Sequence, residues 1–271
     1  MPSSVKTLVV MPVYNEQRYI RRVLSQVLEY VDNVLVIDDG STDETACLIS
    51  RYPVEAIRHA RNRGYGRSLR DGFTFAACHG YDWVITMDCD EQHEPQELPR
   101  FAELIAENRY DIVSGSRYLA SMDEQTAPPP DRRAINSVIT EEVNERLELQ
   151  LTDTFCGFKA HRVSAMRRMT LTEDGYAFPM QLWVQAVAHG LRIAEHPVKL
   201  IYKDLARNFG GELNNPEVRL AHYRSILHCE LRRCASLLPK EAMATLDFSK
   251  PCGHASHDEL SGLPISPPVR A

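Results

Sequence analysis

The chain has 271 residues, 44% hydrophobic and 25% charged, which is apolar material for one large α/β domain or two small ones. A net charge of −6 without a long basic run argues against nucleic acid as a partner. Seven cysteines, an odd number at scattered spacing, fit reduced thiols in a cytoplasm rather than a disulfide framework. Val5 to Val13 is short and follows no basic region, so no signal peptide is expected. No stretch reaches the roughly 18 apolar residues of a spanning helix, and membrane contact is expected to be peripheral at most.

In chain order, Leu8–Met11 is a short buried strand that stops at Pro12, and Pro12 to Glu16 turns into a helix from about Glu16 to Tyr30. That helix carries Ile20, Val23, Leu24, Val27 and Leu28 on one face. Val34–Ile37 is the second strand, and Asp38 to Asp43 is a turn able to cap the next helix. A third strand at Val54–Ile57 precedes a helix opened by Gly64-Tyr65-Gly66 and running to about Cys78. Trp83–Met87 is the fourth strand, Pro95 starts a helix to about Glu107, and Asp111–Tyr118 is a strand with its exit.

Met122 to Asp131 contains three consecutive prolines and reads as an irregular loop. The helix after it has an apolar stripe of Ile135, Val138, Ile139, Val143 and Leu147, with an acidic opposite face that anionic lipid would repel. Phe155–Ala160 is expected as a strand, Val163–Met169 and Phe178–His189 as helices, and Ile193–Ile201 as a strand. An irregular charged segment from Lys203 to Asn214 leads to Pro216, well placed as the first residue of a helix to about Ala235. The Pro-, Ser- and Gly-rich tail is expected to be poorly ordered, and its Cys252, His254 and His257 are too few for a closed zinc site.

Strands alternating with helices imply a mostly parallel sheet flanked by helices, a Rossmann-like α/β class. Ligands of such sheets collect beyond the carboxyl ends of the strands. Polar clusters fall there at Pro12–Glu16, Asp38–Ser41, Asp88–Gln92 and Ser116–Tyr118. Asp88 and Asp90 are two apart, so an extended backbone turns both to one side. Like charges so close call for a cation, and a hard divalent ion held by one or two carboxylates keeps positions for substrate phosphates. Gln92 would add a neutral oxygen on the same side.

Met11-Pro12-Val13-Tyr14-Asn15-Glu16, Asp38-Asp39-Gly40-Ser41-Thr42-Asp43 and Asp88-Cys89-Asp90-Glu91-Gln92-His93 resemble, in order and spacing, the family 2 glycosyltransferases of GT-A fold. Gln92-His93, Gly115-Ser116-Arg117-Tyr118, Asp153 before Cys156-Gly157-Phe158, and Gly175-Tyr176-Ala177-Phe178 are similar to the dolichol-phosphate mannose synthase group of polyprenyl-phosphate glycosyltransferases. The resemblance implies one GT-A domain over residues 1–237, with a nucleotide-sugar half to about 120 and an acceptor half after it, and a tail over 238–271. It implies that Pro12, Tyr14, Glu16, Ile37 and Asp39 meet the nucleoside and that Asp88 and Asp90 approach the donor diphosphate. Asp90 and Gln92 would hold Mg²⁺ or Mn²⁺, Arg117, Arg132 and Arg133 would meet an acceptor phosphate, and Arg207 would close over phosphates.

The implied activity is inverting, metal-dependent transfer from a UDP- or GDP-linked sugar to a polyprenyl phosphate at the inner face of a membrane. Three positions depart from the group: Cys156 replaces a serine, the late loop after Arg207 lacks a lysine, and the helix after Arg133 is acidic. The same donor chemistry could serve a soluble hydroxyl acceptor, which needs a base. Asp174 in Thr172-Glu173-Asp174 would be that base, although a helix-capping role suits it better. A silent binding module would have lost Asp88, Asp90, Gln92 or Arg207, and a nucleotidyltransferase would want a Gly-rich basic loop where Pro12–Glu16 stands.

Overall fold

The computed structural model describes residues 5–91, 93–119, 130–199, 211–247 and 252. Seven strands form one sheet: β1 Thr7–Val13, β2 Val34–Asp38, β3 Glu55–Arg58, β4 Trp83–Thr86, β5 Ile112–Ser116, β6 Lys159–Arg162 and β7 Ile193–Pro197, in the order β3-β2-β1-β4-β6-β5-β7. Every pairing is parallel except those of β6, which runs antiparallel to both β4 and β5.

The alternation of side chains along the strands divides the core in two. Leu8 and Val10 of β1 face one layer, built by α3 Tyr65–Cys78, α5 Pro130–Leu147, α6 Val163–Met166, α7 Phe178–Ala188 and α8 Pro216–Arg233. Val9, Met11 and Val13 face the other, built by α1 Ile20–Val27, α2 Thr45–Ile49 and α4 Leu98–Ala106. The GT-A-type, mostly parallel sheet with helices on both faces is therefore present.

Two elements differ from the sequence expectation for identifiable reasons. The first helix begins at Ile20, not Glu16. Asn15 sits at φ 56°, and the amides of Asn15 and Glu16 donate to Ser41 Oγ and Thr45 Oγ1, which ties this stretch to the next turn. The strand expected at Phe155–Ala160 forms at Lys159–Arg162 instead. Its first residues are drawn across the end of β4, where Thr86 Oγ1 donates to Gly157 O at 2.7 Å and Gly115 N to Phe158 O at 2.7 Å.

α8 starts as its sequence predicts, with Pro216 in the first turn and Asn215 Oδ1 accepting from Glu217 N and Val218 N. It docks on α5 through Glu142, which meets Arg224 Nε at 2.8 Å and His228 Nε2 at 2.7 Å. One acid of α5, Glu142, thus has its partners on α8. Most of 238–271 lies outside the described residues, but Lys240–Met243 forms a 3-10 turn with Ala242 buried and Arg146 Nη1 donating to Ala242 O.

Candidate active site

β4 is the element around which the site is assembled. Its ladder with β1 ends near Thr86, and Met87 N still donates to Val10 O at 3.1 Å. Beyond it Cys89 is buried at 1% exposure, while Asp88 and Asp90 on either side remain partly exposed. Strand alternation therefore persists past the strand and keeps the two carboxylates on the open side. Glu91 then turns the chain at φ 59°, anchored by an ion pair to Arg22 Nε at 3.2 Å. Gln92 lies outside the described residues.

Because β6 is antiparallel, the turn that precedes it comes to the carboxyl edge of the parallel strands. Gly157 in that turn packs on Asp88 so closely that a Cβ there would lie 2.2 Å from Asp88 Oδ2. The buried Lys159 ammonium donates to Cys156 O and holds the turn from behind. Burial pushes the Lys159 pKa down, against the pull of Cys156 and Asp153. Tyr65, the first residue of α3, also meets Asp88. Burial, with the Asp88 carboxylate hydrogen-bonded to it, pushes the phenol well above its usual range. The Tyr65 ring stacks on Tyr176 at 6.0 Å, and Tyr176 is 40% exposed.

The ends of β1 and β2 lie beside this centre, with Pro12 opposite Ile37 and Val13 opposite Asp38. Tyr14 is 44% exposed there, and Glu16 is buried with its amide on Thr45. Ile37 is fully buried and its side chain packs in the core. Asp39 accepts from Arg63 N and Gly64 N at 2.8 Å each and meets His59 Nδ1 at 2.6 Å. It anchors the 59–64 loop. His59 in turn meets Asp71, whose carboxyl is lowered, burial notwithstanding, by Arg67 and then His59.

Arg117 leaves β5 and grips Asp153 in a fork, Nε to Oδ2 at 2.6 Å and Nη2 to Oδ1 at 2.9 Å. Burial alone would raise the Asp153 carboxyl, but Arg117 and Asn136 hold it at about 2. The fork uses two of the five guanidinium donors. Asn136 Nδ2 also donates to Asp153, and Arg132 sits one turn earlier on the same face of α5. The structure thereby brings Arg117 and Arg132 to one region, while Arg133 is exposed on a neighbouring face and Arg207 lies outside the described residues.

Asp174 departs from its expected capping role. The N-cap of α7 is Ala177, without a side-chain cap, and Asp174 Oδ1 instead accepts from Arg70 Nη1. Three residues escaped the sequence reading as parts of the site: Tyr65, Gly157 and His93. The sequence marks Gly64-Tyr65-Gly66 as a helix start and Gly157 as part of a strand, and neither pattern says which strand end the residue reaches.

Among the described residues, no cluster of three or more His, Cys, Asp or Glu side chains is placed to enclose a metal ion. Asp88 and Asp90 still suit Mg²⁺ or Mn²⁺ in the open mode, in which phosphates and water complete a hard oxygen shell. Also among the described residues, no helix is long and apolar enough to cross a membrane.

The glycosyl transferase family 2 model matches residues 8–171, more than half of the chain, and the protein belongs to that family. It is a family 2 glycosyltransferase. The undecaprenyl-phosphate mannosyltransferase of Micrococcus luteus is 28% identical over 214 residues, covering 75% of this chain and 87% of that one. The polyprenol monophosphomannose synthase of Mycolicibacterium smegmatis is 27% identical over 212 residues, covering 74% and 79%. Glucosyl-3-phosphoglycerate synthase from Mycobacterium tuberculosis, solved with Mn²⁺, uridine diphosphate and phosphoglyceric acid, aligns with a TM-score of 0.63 at 18% identity, covering 87% of this chain and 80% of that one. This likeness is one of fold.

Proposed function

We propose that the protein transfers a sugar from a UDP- or GDP-linked donor to a polyprenyl phosphate, with inversion and with a divalent cation. The observation that carries the acceptor assignment is the similarity, over three quarters of the chain, to enzymes named for polyprenyl-phosphate acceptors. Asp88 and Asp90 face the donor diphosphate, and Tyr65 and Gly157 fix Asp88 from two sides. Pro12, Tyr14 and Glu16 take the nucleoside, beside the 59–64 loop that Asp39 holds. Bound Mg²⁺ or Mn²⁺ would be held by Asp90 with Gln92 and would supply Lewis-acid stabilisation of the leaving diphosphate. Arg117 and Arg132, with Arg133 and Arg207, receive the acceptor phosphate, which is already anionic at neutral pH and needs no general base.

A hydroxyl acceptor is the second reading, favoured by the fold shared with an enzyme solved with phosphoglyceric acid. It would require Asp174 as base, but that carboxylate is engaged by Arg70. The two readings separate in a screen of UDP- and GDP-sugars against short-chain prenyl phosphate, phosphoglyceric acid and water. Lipid-linked product with an inverted anomeric centre, read from its NMR coupling constant, supports the proposal. A phosphoglycerate product, or retained configuration, contradicts it.

A further inference from the structure

Resting on the assignment of Asp88 to the donor diphosphate, we propose that His93 is a positioning residue. Its imidazole holds the Asp88 main chain through Nδ1 and so sets where the acidic pair sits.

The β4 ladder is exhausted at Met87, so the Asp88 amide is the first main-chain donor past the sheet. That amide donates to His93 Nδ1 at 3.2 Å. A nitrogen that accepts an N–H carries no proton, which places the imidazole proton on Nε2. Nε2 in turn lies 3.9 Å from Cys156 Sγ and 4.0 Å from Asp88 Oδ2. The ring is 5% exposed and packs on Phe158 at 5.3 Å, and Phe158 stacks on Phe101 at 4.5 Å. The imidazole therefore closes a loop from 88 to 93 whose middle, Glu91, is held at a positive φ of 59°.

Two other roles fail on the same geometry. A metal on Nε2 would move the proton to Nδ1, directly against the Asp88 amide. General acid or base work would need reach to a substrate, and the ring is enclosed by Phe158, Cys156 and the loop itself. What remains is control of Asp88, whose carboxylate also packs against Gly157.

The proposal makes one nitrogen matter and not the other. In an asparagine, Oδ1 stands where Nδ1 stands in histidine; in a glutamine, Oε1 stands where Nε2 does. H93N keeps an acceptor for the Asp88 amide and H93Q loses it. Calorimetry of UDP and GDP binding, at varied Mn²⁺, would measure the cation concentration for half-saturation in wild type and both variants. H93N should stay within about threefold of wild type, and H93Q should shift by about tenfold or more, the usual effect of losing a group that orients a ligand. Equal shifts in the two variants would overturn the proposal, because a merely space-filling histidine would treat them alike. Long-range ¹H–¹⁵N NMR of the ¹⁵N-histidine-labelled wild-type protein gives a readout free of substrate, with the His93 signal assigned by its loss in H93N. An unprotonated Nδ1 is expected, and a protonated Nδ1 refutes the proposal. If neither nucleotide binds the wild type, the donor reading falls, and the tautomer alone then decides the role of His93.

Discussion

Asp39 accepts two backbone amides and a histidine, all from the 59–64 loop, and this reshapes what its substitution should do. Asp39→Ala leaves Arg63 N and Gly64 N without their acceptor, at about 1–3 kcal/mol for each amide that stays buried. The expected outcome is a lower denaturant midpoint together with weaker nucleotide binding. Weaker binding at an unchanged midpoint would instead mean direct contact with the nucleoside. Gly157→Ala is the complementary case. The added methyl cannot coexist with the Asp88 carboxylate at 2.2 Å, so Asp88 must move. Transfer should fall by about tenfold or more, the scale of a misplaced catalytic group, with only a small change in melting temperature. Wild-type transfer by this variant would show that the position of Asp88 is unimportant. At this scale the sequence exposed the acids themselves, because paired carboxylates at a strand end are visible as letters. The partners that aim them were hidden, since Tyr65 and Gly157 lie 23 and 69 residues away from Asp88 in the chain.

At the scale of elements, β6 and the α5–α8 pair build the side proposed to meet the acceptor. Arg117 on the β5 exit and Asp153 before β6 form a buried pair, and removing one member strands the other charge. Arg117→Ala should cost about 3–5 kcal/mol in denaturant unfolding. Arg117→Met combined with Asp153→Asn removes both charges and keeps an acceptor for Asn136, so it should regain most of that stability while transfer to prenyl phosphate stays low. Recovery of transfer as well would reduce Arg117 to a structural role. Acid should act on the same elements. The carboxyls of Asp111, Glu142 and Asp153 are all held at about 2, against ordinary values of 3.8 to 4.5. For Asp111 the Arg192 guanidinium is the main cause; for Glu142 it is His228; Asp153 is lowered by Arg117 against its burial. Folded-state pKa values below the unfolded ones mean stability that is complete above about pH 4.5 and is lost as pH falls toward 2. Glu142→Gln should flatten part of that acid limb in urea titrations, and an unchanged limb would show that the α5–α8 contact carries none of it. The helix α5 itself was legible from its stripe, with Ile135, Ile139, Val143 and Leu147 all buried. Its acidic side was not, because Arg224 and His228 of α8 answer Glu142 from more than 80 residues away.

For the whole molecule, alternation of strands and helices foretold the mostly parallel sheet. It did not foretell that β6 runs antiparallel, because a four-residue strand carries no sign of direction. That reversal is what delivers the 153–157 turn to the carboxyl edge, beside Asp88. On the proposed function one edge does two jobs: the acids after β4 meet a donor diphosphate, while Arg117 at the β5 exit and Arg132 at the start of α5 meet an acceptor phosphate. The most direct measurement is transfer of radiolabelled sugar to short-chain prenyl phosphate by the wild-type enzyme, with Mn²⁺ and then with excess chelator, alongside the matching prenyl alcohol and Asp90→Ala. The account predicts labelled lipid only with prenyl phosphate and cation, and none with chelator, the alcohol or the variant. Full transfer in chelator, or equal transfer to the alcohol, would contradict it.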